Sequence, residues 1–241
     1  MTTKIRVEGP IVNDGDKVVY DWYKMPATSP KSVADMLPED NSDIDVEINS
    51  TGGLIDAGSS IYTALKAYKG KVTVKIVGMA ASAASVIAMA GDKVLMSPTA
   101  QMMIHNVSND TYGDYQEHAS DAEILKSMTD GLATAYIDKT GKSAEEIHKM
   151  MDNVTYMNAQ QALDNGFVDE IMFSDDNRSL PLTASVGGML SQSTLEKLRA
   201  DSNLENKIDA LTSTVNELTK KLNNNEERTA ENVNNSKPFV F

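Results

Sequence analysis

Two hydroxyls stand three residues apart in GMAASAAS (78–85), at Ser82 and Ser85. Serine suits a helix interior poorly, because its hydroxyl competes for backbone hydrogen bonds, so its presence among alanines needs a reason. Close packing by small residues is one reason; a nucleophile is another. KVTVKIVG (71–78) alternates like a strand, and ASAASVIAMAG (81–91) reads as a short apolar helix after it. That order delivers Ser82 to the head of a helix, where free N–H groups favour developing negative charge. The Ala83 N–H would lie beside an attacking Ser82 hydroxyl as an oxyanion donor. Ser85 falls one turn further in, with poorer access, so position favours Ser82 as nucleophile and Ser85 as packing.

A serine needs a base. His105 ends the apolar strand QMMIH (101–105), and a histidine there can reach the place where the neighbouring strand stops. Taken singly, such a histidine is more often structural. In EINSTGGLIDAG (47–58) a strand pattern breaks at two glycines before a helix begins. Glycines let a backbone approach a ligand closely and leave N–H groups free for an anion, so the Gly53 N–H is the candidate second oxyanion donor. Neither GxxxxGK[ST] nor GxGxxG is present, and Gly-Gly alone is as well explained by a tight turn.

The elements that must position these residues alternate in type. DIDVEINS (43–50) has the period of a half-buried strand, and DAGSSIYTALKAYKG (56–70) is helical, with Gly70 placed to end it. KVLMSP (93–98) and QMMIH are short strands, and a helix without proline runs from about Tyr115 to Lys139, weakened by Gly131. SAEEIHKMM (143–151) and NAQQALDNG (158–166) are helices, and FVDEIMF (167–173) closes as a strand. Strands alternating with crossover helices give an α/β fold with a parallel sheet. Four segments are expected: a domain over 1–173, a polar linker over 174–192, a helical segment over 193–222 and a disordered tail over 223–241. Leu204, Ile208, Leu211, Val215, Leu218 and Leu222 follow an a/d spacing, read as a short coiled coil or as one amphipathic helix docked on the body.

Composition removes several classes. A net charge of −13 argues against a nucleic-acid surface. Zero cysteines exclude disulfides and thiolate chemistry, and His105, His118 and His148 lack metal-ligand spacing, so no metal and no cofactor are expected. No apolar run approaches a membrane span and no signal-peptide core opens the chain, so a cytoplasmic protein is expected.

INSTGGLIDAGSSIYTAL, GMAASAASVIAMAG, MMIHN and TGKSAEEIHKMMDNVTYMNAQQALDNGFVDEI together resemble the proteolytic subunit of the Clp protease. They look most like the Clp-like head-maturation (prohead) proteases of tailed bacteriophages. The resemblance runs from about Ile5 to Phe173. It implies a ClpP/crotonase-like α/β fold in which the Tyr115–Lys139 helix protrudes as a handle between stacked rings. It also implies a serine endopeptidase with Ser82 as nucleophile, His105 as general base, and the Gly53 and Ala83 N–H groups as oxyanion hole. Its partners would be protein substrates (scaffold, capsid or portal proteins) and further copies of the chain in a ring, in the cytoplasm of an infected or lysogenic bacterium.

The third triad member departs from the family. Its position falls on Val154, with Asp152 two residues earlier. Either Asp152 replaces the usual carboxylate, or the chemistry runs on a Ser–His dyad and Asp152 is a solvated charge. Two other readings stand beside the prohead protease: a Clp-type subunit fed by an ATP-dependent unfoldase, and an inactive crotonase-fold assembly or scaffold protein.

Overall fold

The computed structural model describes residues 2–174 and 212–214. The expected linker, helical segment and tail over 174–241 lie outside the described residues, apart from Ser174 and a helical stretch at 212–214. The chain divides into two units after residue 178, and every element named below belongs to the first.

Five parallel strands form the body of one sheet, in the order β1 (Thr3–Glu8), β2 (Ile44–Ser50), β3 (Val72–Ala81), β4 (Lys93–Met96) and β7 (Glu170–Ile171). β2 buries Ile44, Val46, Ile48 and Ser50 while its acidic residues stay partly exposed, the period-2 pattern of a sheet with one face covered. α3 (Ile55–Ala67) makes the crossover to β3 and buries Ala57, Gly58, Ile61 and Leu65 against the sheet. Burying side chains such as Ile61 and Leu65 stabilises the fold by about 1.5–3 kcal/mol each.

β3 serves two partners in succession. Thr73–Ile76 pair with β4, and Met79–Ala81 pair with β5 (Gln101–Ile104). Between these halves its register with β2 slips from Ile48 opposite Ile76 to Ser50 opposite Ala80. Gly78 makes room for the slip: a Cβ there would lie 2.4 Å from Asn49 Oδ1, the oxygen that accepts the Met79 N–H at 3.1 Å. The strand therefore runs past β4, beyond the boundary expected at residue 78, and ends at the residue before Ser82. β6 (Thr155–Asn158) pairs antiparallel with β5.

α4 (Ala83–Ala88) is buried along its whole length, and α5 (Tyr115–Thr140) buries only Thr129, Ala133, Ala135 and Tyr136. A capping box of Asp114 and Glu117 opens α5, and Gly141 at φ 70° closes it. α6 (Ala144–Asp152) carries the expected Ser143–Glu146 capping box, and α7 (Ala159–Asp164) follows.

The sequence reading differs from the structure elsewhere too. α1 (Asp14–Trp22), α2 (Pro30–Ala34) and β6 were not expected. α3 ends at Ala67 without a left-handed cap, and Gly70 is needed instead because a Cβ there would lie 2.4 Å from the Asn41 carbonyl oxygen. The closing strand shrinks to Glu170–Ile171, with Phe167 and Val168 buried in the turn before it. The sheet is mixed, since β5 and β6 run antiparallel. No described helix is long and apolar enough to cross a membrane.

Candidate active site

Where β3 hands over to α4, Ser82 takes φ 54° and ψ −127°. For a residue with a Cβ this costs about 1–3 kcal/mol and persists only where its surroundings over-determine it. Hydrogen bonds at its N–H and at its carbonyl do so. The Ser82 N–H donates to the Met103 carbonyl of β5 at 2.9 Å, and the Ser82 carbonyl accepts the Ser85 N–H at 2.9 Å. The Ser85 hydroxyl donates to that same carbonyl at 2.6 Å.

Ser85 is wholly buried, and its hydroxyl also lies 2.8 Å from that of Tyr136 on α5. A serine hydroxyl has one proton, so with that proton on the Ser82 carbonyl it is Tyr136 that donates. Burial pushes the Tyr136 phenol far above the usual tyrosine range, which keeps it a donor. Ser85 is therefore a hydrogen-bonded strut beneath the turn, rather than packing alone.

Serine is among the best helix N-caps, yet the Ser82 side chain caps nothing in α4. Its Oγ lies instead 2.7 Å from Nε2 of His105, which sits just past the end of β5. Desolvation by burial moves the His105 pKa below its ordinary value, so the imidazole is neutral at pH 7. A neutral ring accepting at Nε2 carries its proton at Nδ1. Among the described residues that Nδ1 has no hydrogen-bond partner.

The two glycines stand where no side chain fits. A Cβ on Gly52 would lie 2.7 Å from both the Ala81 carbonyl oxygen and Ser82 Cβ, and one on Gly53 would lie 2.1 Å from the Ile11 carbonyl oxygen. Ile11 pins this loop from both sides, donating to Gly52 O and accepting from Leu54 N at 2.9 Å each. The Gly53 and Ala83 N–H groups have no acceptor among the described residues. Gly53, Ser82 and His105 border a cleft of about 200 Å³ walled by Leu54, Ile55, Val107 and Leu132. No group of three or more possible metal ligands occurs among the described residues.

Ser82, His105, Gly53 and Ala83 thus converge; Asp152 does not join them on the ring. Its Oδ1 accepts from Asn106 Nδ2 at 2.7 Å, and no contact to the His105 imidazole is present. The β5–β6 ladder pairs Ile104 with Thr155, so the next step of that register sets His105 opposite Val154, which is apolar and 48% exposed. Val154 adopts φ 47°, a genuine outlier for a β-branched side chain. Asn106 and Tyr136 were not singled out from the sequence. Tyr136 lies far from Ser85 along the chain and carried no local signal, whereas Asn106 adjoins a candidate base and could have been asked about on that ground.

The chain has relatives among known proteins. Residues 33–175 match the family model described as Clp protease. Over 139 residues the chain is 36% identical to an ATP-dependent Clp protease proteolytic subunit from Streptococcus salivarius, covering 56% of this chain and 71% of that one. Among solved structures it is similar to the ClpP1 N165D mutant from Listeria monocytogenes, with a TM-score of 0.59, 26% identity, and coverage of 72% of this chain and 93% of that one.

Proposed function

The chain belongs to the Clp protease family, and we propose that it is a serine endopeptidase acting through Ser82 and His105. The observation that carries this reading is the 2.7 Å contact between a serine hydroxyl withheld from helix capping and a neutral, half-buried imidazole. Ser82 Oγ attacks a peptide carbonyl in the cleft while His105 Nε2 takes its proton. The Gly53 and Ala83 N–H groups receive the developing oxyanion, already oriented and without other acceptors. His105 returns the proton to the leaving amine, and water releases the acyl-enzyme by the same route. Leu54, Ile55, Val107 and Leu132 suit an apolar side chain next to the scissile bond.

The biological reading is head maturation in a tailed bacteriophage: cleavage of scaffold, capsid or portal proteins by a ring of these subunits, without ATP. Support comes from the sequence resemblance to phage prohead proteases and from the appended segment with its a/d pattern. α5, largely exposed over its first half, then serves as the handle between rings. A second reading, a proteolytic subunit fed by an ATP-dependent unfoldase, is favoured by the similarity to the ATP-dependent Clp protease proteolytic subunit of Streptococcus salivarius. Digestion of unfolded casein with and without ATP and a bacterial unfoldase separates them. Turnover without nucleotide, lost in Ser82→Ala, supports the first reading, and turnover that requires the unfoldase supports the second. Uncut scaffold and capsid proteins on co-expression with the wild-type chain would contradict the maturation role.

A further inference from the structure

Among the described residues, two polar groups of the site lack hydrogen-bond partners, and they belong to adjacent residues. One is the Nδ1–H of His105, which has to be present if Nε2 is to accept the Ser82 proton. The other is Asn106 Oδ1, buried and without a hydrogen bond among the described residues. A buried acceptor left empty is rare in native folds and calls for an explanation. His105 and Asn106 both line the cleft that holds Ser82.

Asp152 decides which way the Asn106 amide points. Its carboxylate takes the Asn106 Nδ2–H at 2.7 Å. The flipped amide would set Oδ1 against the carboxylate oxygen, two acceptors face to face, so the ion locks the carbonyl end inward. Meanwhile the backbone register leaves Val154, which has nothing to offer a ring nitrogen, opposite His105. The Asp152 carboxylate thus meets the residue next to His105 and not the imidazole itself.

We propose that Asn106, held in orientation by Asp152, is the positioning residue for His105, its Oδ1 accepting the Nδ1–H in place of a triad carboxylate. This rests on the Ser82–His105 reading above. In the present structure the two orphan groups are not yet hydrogen-bonded, and contacts of this kind commonly tighten only when substrate fills the site. Asn106 moves no proton; it selects the tautomer and the ring orientation, as an asparagine does in Cys-His-Asn hydrolases. Asp152 acts one step further out. A neutral amide stabilises the imidazolium less than a carboxylate would, in keeping with a ring whose pKa is already depressed by burial.

The test uses the full-length chain with ¹⁵N-labelled histidine, the His105 signal being assigned by its loss in His105→Gln. NMR reads the tautomer, and the rate of fluorophosphonate labelling against pH reads the base. The wild type should hold His105 as the Nδ1–H tautomer once the phosphonate is bound. Asn106→Ala and Asp152→Ala should each mix the tautomers and slow labelling roughly tenfold, with circular dichroism unchanged. Asn106→Asp should restore the Nδ1–H tautomer and move the labelling midpoint to higher pH. An unchanged tautomer and midpoint in Asn106→Ala would overturn the proposal, as would full labelling in Asp152→Ala with an altered tautomer in neither variant. A wild-type chain that takes no label overturns the protease reading instead; the tautomer of the unlabelled chain, with and without Asn106, then still decides the contact.

Discussion

The hydroxyls of Ser85 and Tyr136 meet at 2.8 Å across 51 residues of sequence, and that contact braces the turn presenting Ser82. Tyr136 donates to Ser85 and Ser85 donates to the Ser82 carbonyl, so the strained residue is tied through two hydroxyls to the buried end of α5. Removing one partner of a buried hydrogen bond leaves the other unsatisfied, at a cost of about 1–3 kcal/mol, whereas removing both is milder. Ser85→Ala should therefore destabilise the chain more than the Ser85→Ala/Tyr136→Phe double variant does. Urea unfolding of both single variants and the double completes the cycle.

The glycines make an opposed pair of predictions. Gly52→Ala places a Cβ 2.7 Å from Ser82 Cβ at φ 94°, so it should displace the turn and abolish labelling at Ser82. Gly131→Ala meets nothing within 4 Å on an exposed turn of α5, and should stabilise by about 0.5–1 kcal/mol through helix propensity. Thermal unfolding and labelling rate, measured side by side, check both.

The pH dependence follows from His105. Its pKa is lowered by burial, so on acidification the unfolded chain takes up the proton first. Stability from this group is complete above the unfolded value of about 6.5 and is lost as pH falls from there towards the folded value. The acid limb of the labelling rate should accordingly lie below pH 6.5, because the base works only when neutral. A midpoint above that value would mean the ring is stabilised as a cation, which the site as described does not provide.

Val154 offers a gain. Its φ of 47° suits asparagine or aspartate far better than a β-branched residue. Val154→Asn should raise stability by about 1 kcal/mol or more. Val154→Asp, at the position opposite His105, should in addition raise the midpoint of the acid limb. Chemical denaturation and the labelling profile read the two effects separately.

Much of this was legible before the structure. The alternation in β2, the caps of α6 and the break at Gly52-Gly53 are local signals, and so is the strand-to-helix order that puts Ser82 at the head of α4; the structure sets Ser82 beside Gly53 and His105 at one cleft. What escaped depends on non-local relations. β6 is four residues whose strand character comes from pairing with β5, and α1 buries no residue at all, so its periodicity had no core face to report. The Ser85–Tyr136 strut joins positions that no spacing rule connects. The two-residue spacing from Val154 leaves open whether Asp152 faces the imidazole or solvent; it lies at the end of α6, and its carboxylate meets Asn106.

The central claim is that the Ser82 hydroxyl is activated by His105, and its most direct measurement is the site of fluorophosphonate attachment. The wild type, Ser82→Ala, Ser85→Ala and His105→Gln chains would be treated with the probe, digested and mapped by mass spectrometry. The account predicts an adduct on Ser82 in the wild type, none anywhere in Ser82→Ala or His105→Gln, and a slowed adduct, still on Ser82, in Ser85→Ala. An adduct on Ser85, or a wild-type rate matched by His105→Gln, would contradict it.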